Sequence, residues 1–188
     1  ERHPGLRVVW TEMPGLRWVV EDLERITRQL RVVQSRHAAD PRQLNFWRTF
    51  GSEVTEGLQC TPMAYFRRNC YIGASMLSPF DMPYARVLGT DRIMWGHDAP
   101  HDEGSCGLTE ESLRVNFHDF DVAECRRMFT ATAAELYHFD LDALVPVAER
   151  IGPPIDVVHT PLADPPVAKG SAFWAPTELR EVLDRPNL

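Results

Sequence analysis

The sequence predicts an α/β fold whose strands pair in parallel. Ile93–Trp95 is a short apolar run of the kind that forms a strand buried on both faces of a parallel sheet. Two further strand-like runs, Leu6–Thr11 and Cys70–Ser75, precede it, and segments of helical character separate the three. Because strands alternate with helices, parallel pairing through right-handed crossovers is favoured.

The segments between these strands carry recognisable helix signals. After the first strand ends at Glu12, an amphipathic helix is expected to extend to about residue 36. A second helix is predicted from Thr61, which is placed to cap it, with Pro62 at its first position. A helical turn is expected over Pro79–Arg86. The inward positions of the first helix are predicted to be Leu16, Val19, Val20, Leu23 and Ile26.

Residues 37–61 show no clear periodicity but contain an apolar cluster. This cluster either packs beneath a long loop or lines a pocket or an oligomer contact. Its members are Leu44, Phe46, Trp47 and Phe50.

The C-terminal part is predicted to be helical as far as residue 150. Thr109 begins one helix and Asp121 caps the next, which is expected to continue through Tyr137. A further helix, Leu141–Arg150, ends at Gly152. The inward residues of the helix after Asp121 are expected to be Val122, Cys125, Met128 and Phe129.

Composition narrows the class of protein. The net charge of −7 argues against a nucleic-acid binder, which normally carries a basic face. No apolar run approaches the roughly 20 residues needed to span a bilayer, and no signal peptide is evident. The cysteines lack paired spacing, so we expect reduced thiols in a cytoplasmic protein. They are Cys60, Cys70, Cys106 and Cys125.

A carboxylate follows the third predicted strand at a position where α/β barrels keep their chemistry. Gly96 removes side-chain bulk, Asp98 stands where the strand should stop, and Pro100 prevents the ladder from continuing. Asp98 is either a catalytic group or the cap of a loop.

Four segments resemble, in family order, the amidohydrolase-related family: Leu6–Glu12, Ala64–Asn69, Asp91–His101 and Thr132–Asp140. Its members are metal-dependent TIM-barrel hydrolases and decarboxylases of the aminocarboxymuconate-semialdehyde decarboxylase type. The resemblance covers residues 1–152 and implies the C-terminal half of a (β/α)8 barrel, with the three predicted strands as its sixth to eighth. Residues 153–188 form a proline-rich tail. Because a complete barrel needs about 250 residues, the first five strands are expected to lie outside this chain.

The resemblance also implies a divalent metal, expected to be zinc, and a small-molecule substrate. In the family, the ligands are a His-x-His or Glu-x-His pair on the first strand, a histidine on the fifth, and the aspartate that ends the eighth. Only that aspartate, matched by Asp98, is present here. Since three or four protein ligands are usual, we expect this polypeptide to be inactive until the missing barrel half or an oligomer completes it.

The resemblance assigns Asp98 two roles, as a metal ligand and as the catalytic group that moves a proton during hydrolysis or decarboxylation. Glu12, at the end of the sixth strand, is the second catalytic candidate, and its alternative is an ion pair with an arginine near the barrel mouth. His97, His101 and Ser75 are weaker candidates for substrate or supporting contacts. Alternation along a strand points His97 and Asp98 to opposite sides.

Two functions therefore remain open. In the first, the chain is part of a metal-dependent hydrolase or carboxy-lyase of the amidohydrolase superfamily. In the second, it is a non-catalytic fragment or partner subunit that works by association. An unpaired strand edge predicts a complementing chain in either case.

Overall fold

Three short parallel strands form the centre of the fold, in the order β1 (Val8–Trp10), β2 (Cys70–Ala74) and β3 (Ile93–Trp95). Val8 pairs with Cys70, and Ile72 pairs with Ile93. The predicted α/β class and the parallel pairing are therefore confirmed. The computed structural model describes residues 3–13, 15–39, 57–75, 77–101, 104, 105 and 107–163, with the backbone alone over 33–39.

Helix α1 (Leu16–Ala39) follows β1, as the periodicity predicts. Leu16, Val19, Val20 and Leu23 are buried in the main core, whereas Ile26 is 37% exposed. The prediction that Ile26 faces inward is wrong, because the buried stripe of the helix ends at Leu23 and the side chains over 24–32 are exposed or half-buried.

Helix α2 (Pro62–Asn69) leads directly into β2. The hydroxyl of Thr61 accepts a hydrogen bond of 3.2 Å from the amide N–H of Ala64, which confirms the predicted cap. Arg67 donates to the carbonyl of Val87, and Arg68 lies over the ring of Tyr65. These two arginines therefore make structural contacts at the N-terminal end of the strand.

Helix α3 (Met82–Leu88) joins β2 to β3 and begins later than predicted. Gly89 follows with a φ of 108°, and a Cβ there would lie 2.8 Å from Oδ1 of Asp91. Only glycine allows this sharp reversal without a clash. A 3-10 turn, Thr90–Arg92, then enters β3.

Four helical segments follow β3: α4 (Thr109–Phe117), α5 (Val122–Arg126), a π turn (Arg127–Ala131) and α6 (Thr132–Tyr137). Asp121 and Glu124 form a reciprocal capping box, as the cap prediction requires. Cys125 and Met128 are buried, but Val122 is 43% exposed. The inward prediction for Val122 is wrong, because the helix begins there and its first residue projects past the packed face.

Helix α7 (Leu141–Ile151) is present as predicted, but all of its residues are exposed. The chain packs against the core again at α8 (Ile155–Val158), where Val158 is 2% exposed. Arg114 holds this turn by donating to the carbonyl of Thr160 at 2.8 Å. The apolar cluster predicted over residues 44–50, Cys106 and the tail from residue 164 lie outside the described residues.

Among the described residues, the thiols of Cys60, Cys70 and Cys125 are free. Across the part of the chain that the structure describes, the helices are too short or too polar to cross a lipid bilayer.

Candidate functional site

Asp98 lies in the loop that follows β3, at the carboxyl edge of the sheet. Its backbone is left-handed, with a φ of 57°, and its side chain is 21% exposed. The Oδ2 atom is buried and makes no hydrogen bond with any described residue. A buried carboxylate oxygen without a hydrogen bond is costly, so this atom needs compensation from a nearby charge or ligand.

Gly104 lets the loop close around Asp98. A Cβ at this position would clash with the carbonyl oxygen of His97 and would lie 3.1 Å from Cβ of Asp98. Ser105 fixes the closure, since its amide donates to the same His97 carbonyl at 3.1 Å. The hydroxyl of Ser105 is also buried without a hydrogen-bond partner among the described residues. Two unpartnered polar atoms therefore occur in one short loop.

His101 is the side chain that the structure brings to Asp98. Its Nδ1 lies 3.4 Å from Oδ2 of Asp98, at ion-pair distance, and its amide donates to the Asp98 carbonyl at 2.8 Å. The imidazole is 55% exposed, so it is accessible to solvent. His101 is therefore placed to exchange a proton with Asp98 or to orient it.

The side chain of His97 contacts residues that lie close to it in the chain. Its Nδ1 accepts a hydrogen bond of 3.0 Å from the amide of Ala99, and its ring meets the edge of Trp95 at 6.3 Å between centroids. These contacts hold the turn in which Asp98 stands. His97, which the sequence analysis named as a weaker site candidate, therefore holds the loop around Asp98 in position.

Glu12 follows β1 at the same edge of the sheet. It too has a φ of 57°, and its side chain is exposed. The chain beyond it stays close to β2, since the amide of Met13 donates to the carbonyl of Gly73 at 3.2 Å. One strand separates Glu12 from Asp98, and neighbouring strands lie about 4.8 Å apart, so β1 and β3 are about 10 Å from each other.

Ser75 directly follows β2, between the two strands that precede Glu12 and Asp98. The amide of Gly96 donates to the carbonyl of Ala74 at 3.2 Å, which extends the pairing of β2 and β3 to this level. Ser75 is half-buried. All of the predicted site residues therefore lie at one edge of the sheet, and Asp98 and His101 form the pair in contact.

Asp81 positions this edge, and the sequence signals did not identify it. Its carboxylate is buried and accepts from the amide of Leu16 at 2.7 Å and from the hydroxyl of Ser78 at 2.8 Å. It thereby holds the start of α1, directly after the segment that carries Glu12. Its partner lies 65 residues away in the chain, so no local pattern could have revealed the contact.

The residues described here do not form a complete metal site. They contain no group of three or more His, Cys, Asp or Glu side chains placed to hold an ion. Asp98 and His101 contribute two side chains, whereas a mononuclear site usually takes three or four protein ligands. The Oδ2 atom of Asp98, which makes no hydrogen bond with the described residues, is suited to bind a metal, but the described residues supply too few further ligands.

The sequence matches no protein-family model and no curated protein. The likeness to the amidohydrolase-related family therefore stays a prediction, carried by the four segments quoted above.

Proposed function

We propose that this chain is the C-terminal portion of a metal-dependent hydrolase or decarboxylase of the amidohydrolase type. In this proposal β1, β2 and β3 are the sixth, seventh and eighth strands of a TIM barrel. Parallel strands that neighbour one another in chain order, with helices between them, support this assignment. The observation that carries the proposal is the buried Oδ2 of Asp98 just past β3, which makes no hydrogen bond with the described residues and lies 3.4 Å from Nδ1 of His101.

Left-handed backbone at two carboxylates adds a second line of support. Glu12 and Asp98 each adopt it directly beyond a parallel strand. A residue with a Cβ in this region is strained, and such strain clusters at active sites. The two acids follow the strands on either side of β2.

Asp98 is the proposed acid/base group. In hydrolysis it takes the proton of the attacking water and passes it to the leaving group, and in decarboxylation it protonates the carbon that loses carbon dioxide. His101, at 3.4 Å, orients the carboxylate and shares its proton. Asp98 would be one ligand of a zinc ion that would supply an activated water at neutral pH, and the remaining ligands would have to come from outside the described residues.

The sheet needs further strands to become a barrel. Within the described residues β1 pairs on one side only, with β2. Its other edge presents unpaired backbone groups, which favours the addition of a strand from a complementing barrel half or a second copy.

A second candidate function, association without catalysis, is favoured by α7. Each of its residues is exposed, and its apolar residues form a large uncovered surface. Apolar surfaces of this kind mark interaction sites. Its exposed members are Leu141, Leu144, Val145, Val147 and Ile151.

The test uses the chain assembled with its complementing half. Metal content is measured by mass spectrometry, and turnover is measured on a panel of small amides, esters and aromatic carboxylates. Asp98→Asn is expected to lower turnover by about 10²- to 10⁴-fold and to reduce metal retention. Asp119→Asn, on a side chain that is 82% exposed, is the matched control and should leave both unchanged.

The enzyme proposal fails if the assembled protein holds no divalent ion and Asp98→Asn turns over as fast as the unchanged protein. Assembly that persists without metal or turnover would then favour association as the function.

A further inference from the structure

A cavity of about 360 Å³ lies at the end of the sheet opposite Asp98. It is bounded by residues that precede or begin the strands, Arg7, Tyr71 and Arg92, and by Arg127 and Thr132 of the helical segment after β3. Tyr71 stands next to Ile72 in β2, so alternation places its ring on the sheet face away from the core position of Ile72. The cavity is thus separate from the carboxyl edge.

The charges around this cavity do not cancel. Arg92 pairs with Asp91 at 3.1 Å, and Arg127 pairs with Glu135 at 2.6 Å. Arg7 makes no ion pair within the part of the chain that the structure describes. Three guanidinium groups therefore meet two carboxylates, and the excess positive charge favours an anion.

Arg92 is held in place before any ligand arrives. Its guanidinium carbon lies 5.0 Å from the centroid of the Tyr71 ring, and its side chain is 21% exposed. A stacked and partly buried guanidinium keeps its donors in a fixed plane and loses little freedom on binding.

The π turn begins at Arg127 and is followed by Thr132, and both residues line the cavity. The amide of Thr132 donates to the carbonyl of Arg127, five residues earlier, so the extra residue of the turn lies between the two. Both ends of the turn line the cavity. The Thr132 hydroxyl is buried and has no hydrogen-bond partner among the described residues. Turns of this kind recur at functional sites because they redirect side chains at a cost in stability.

We propose that this cavity binds a small oxyanion, a phosphate or a carboxylate group. Arg7 supplies the uncompensated charge, Arg92 and Arg127 supply oriented N–H donors, and the wall at Thr132 limits the size of the ligand. Guanidinium groups match the geometry of both anions, so the two classes share this recognition.

The experiment measures binding to the full chain itself, so its outcome is independent of the reaction proposed above. Isothermal titration at low ionic strength is performed with inorganic phosphate and, separately, with succinate. Arg7→Gln is expected to weaken binding by about three- to tenfold, since it removes one charged contact. Arg126→Gln is the matched control, because this substitution makes the same change in net charge at an exposed residue that does not line the cavity.

Arg127→Gln tests the second donor and should also weaken binding. Circular dichroism on each variant verifies that the fold is retained. Binding of phosphate alone or of succinate alone supports the site and identifies its ligand class. The proposal is overturned if neither anion binds, or if Arg126→Gln weakens binding as much as Arg7→Gln does.

Discussion

The left-handed backbone at Glu12 predicts that glycine at this position stabilises the chain. With a φ of 57°, a residue that carries a Cβ is strained by about 1–2 kcal/mol, whereas glycine is not. Glycine also gives the unfolded chain more freedom, which costs about 0.5–1 kcal/mol. The Glu12 side chain is exposed, so its removal breaks no packing. Glu12→Gly should therefore raise the free energy of unfolding by about 0.5–1 kcal/mol.

Equilibrium unfolding in urea measures this change as a shift of the midpoint at constant slope. Glu12→Ala is the matched control, because it removes the same carboxylate but keeps the Cβ, and it should change stability by less than about 0.5 kcal/mol. His138→Gly provides a second comparison, since His138 caps α6 with a φ of 60° and should gain stability in the same way. If Glu12→Gly is no more stable than Glu12→Ala, the strain argument is wrong.

Three further predictions concern the groups that support the fold. Asp81→Ala should lower the free energy of unfolding by about 3 kcal/mol, because it leaves the buried amides of Leu16 and Ser78 without an acceptor. Asp22→Ala removes a carboxylate from an exposed ion pair and should change the free energy of unfolding by less than about 1 kcal/mol. Equal losses for the two variants in urea denaturation would refute the assignment. The hydrogen bond from Arg86 holds the pKa of Glu124 below its usual value of 4.5, so the pair stabilises the fold above about pH 4.5 and this contribution is lost as the pH falls through the lowered pKa. Glu124→Gln should therefore be about 1 kcal/mol less stable than the unchanged chain at pH 7 and equally stable in acid, and a difference that persists in acid would contradict this. Burial raises the pKa of the Cys125 thiol to about 11, so at pH 8 maleimide should label the exposed Cys60 and leave Cys125 unmodified until denaturant is added, as peptide mass spectrometry can show.

Local signals predicted most of the secondary structure. The cap at Thr61 and the capping box at Asp121 are formed by residues within one helical turn, so their hydrogen bonds can be read from the chain. Burial was predicted less well where a helix runs past its neighbours. Ile26 and Val122 have core periodicity but lie beyond the packed surface, which depends on where other elements end.

Some features of the candidate site could be predicted from the sequence, whereas others depend on the tertiary structure. That Asp98 and Glu12 follow strands could be inferred from the apolar runs before them. Their left-handed backbone, the burial of Oδ2 and the approach of His101 depend on a loop that closes over Gly104. The arginine-lined cavity joins residues from positions 7 to 136, which no spacing along the chain could indicate.

The sequence by itself determined the α/β class and the placement of acidic residues at strand ends, because apolar runs, helix caps and turn residues are local features of the chain; parallel pairing followed from the alternation of strands with helices. Only the tertiary structure decided that Asp81 anchors α1, that α7 stays exposed and that three arginines share one cavity. These features arise from contacts between distant segments, whose free energies depend on three-dimensional packing rather than on local periodicity.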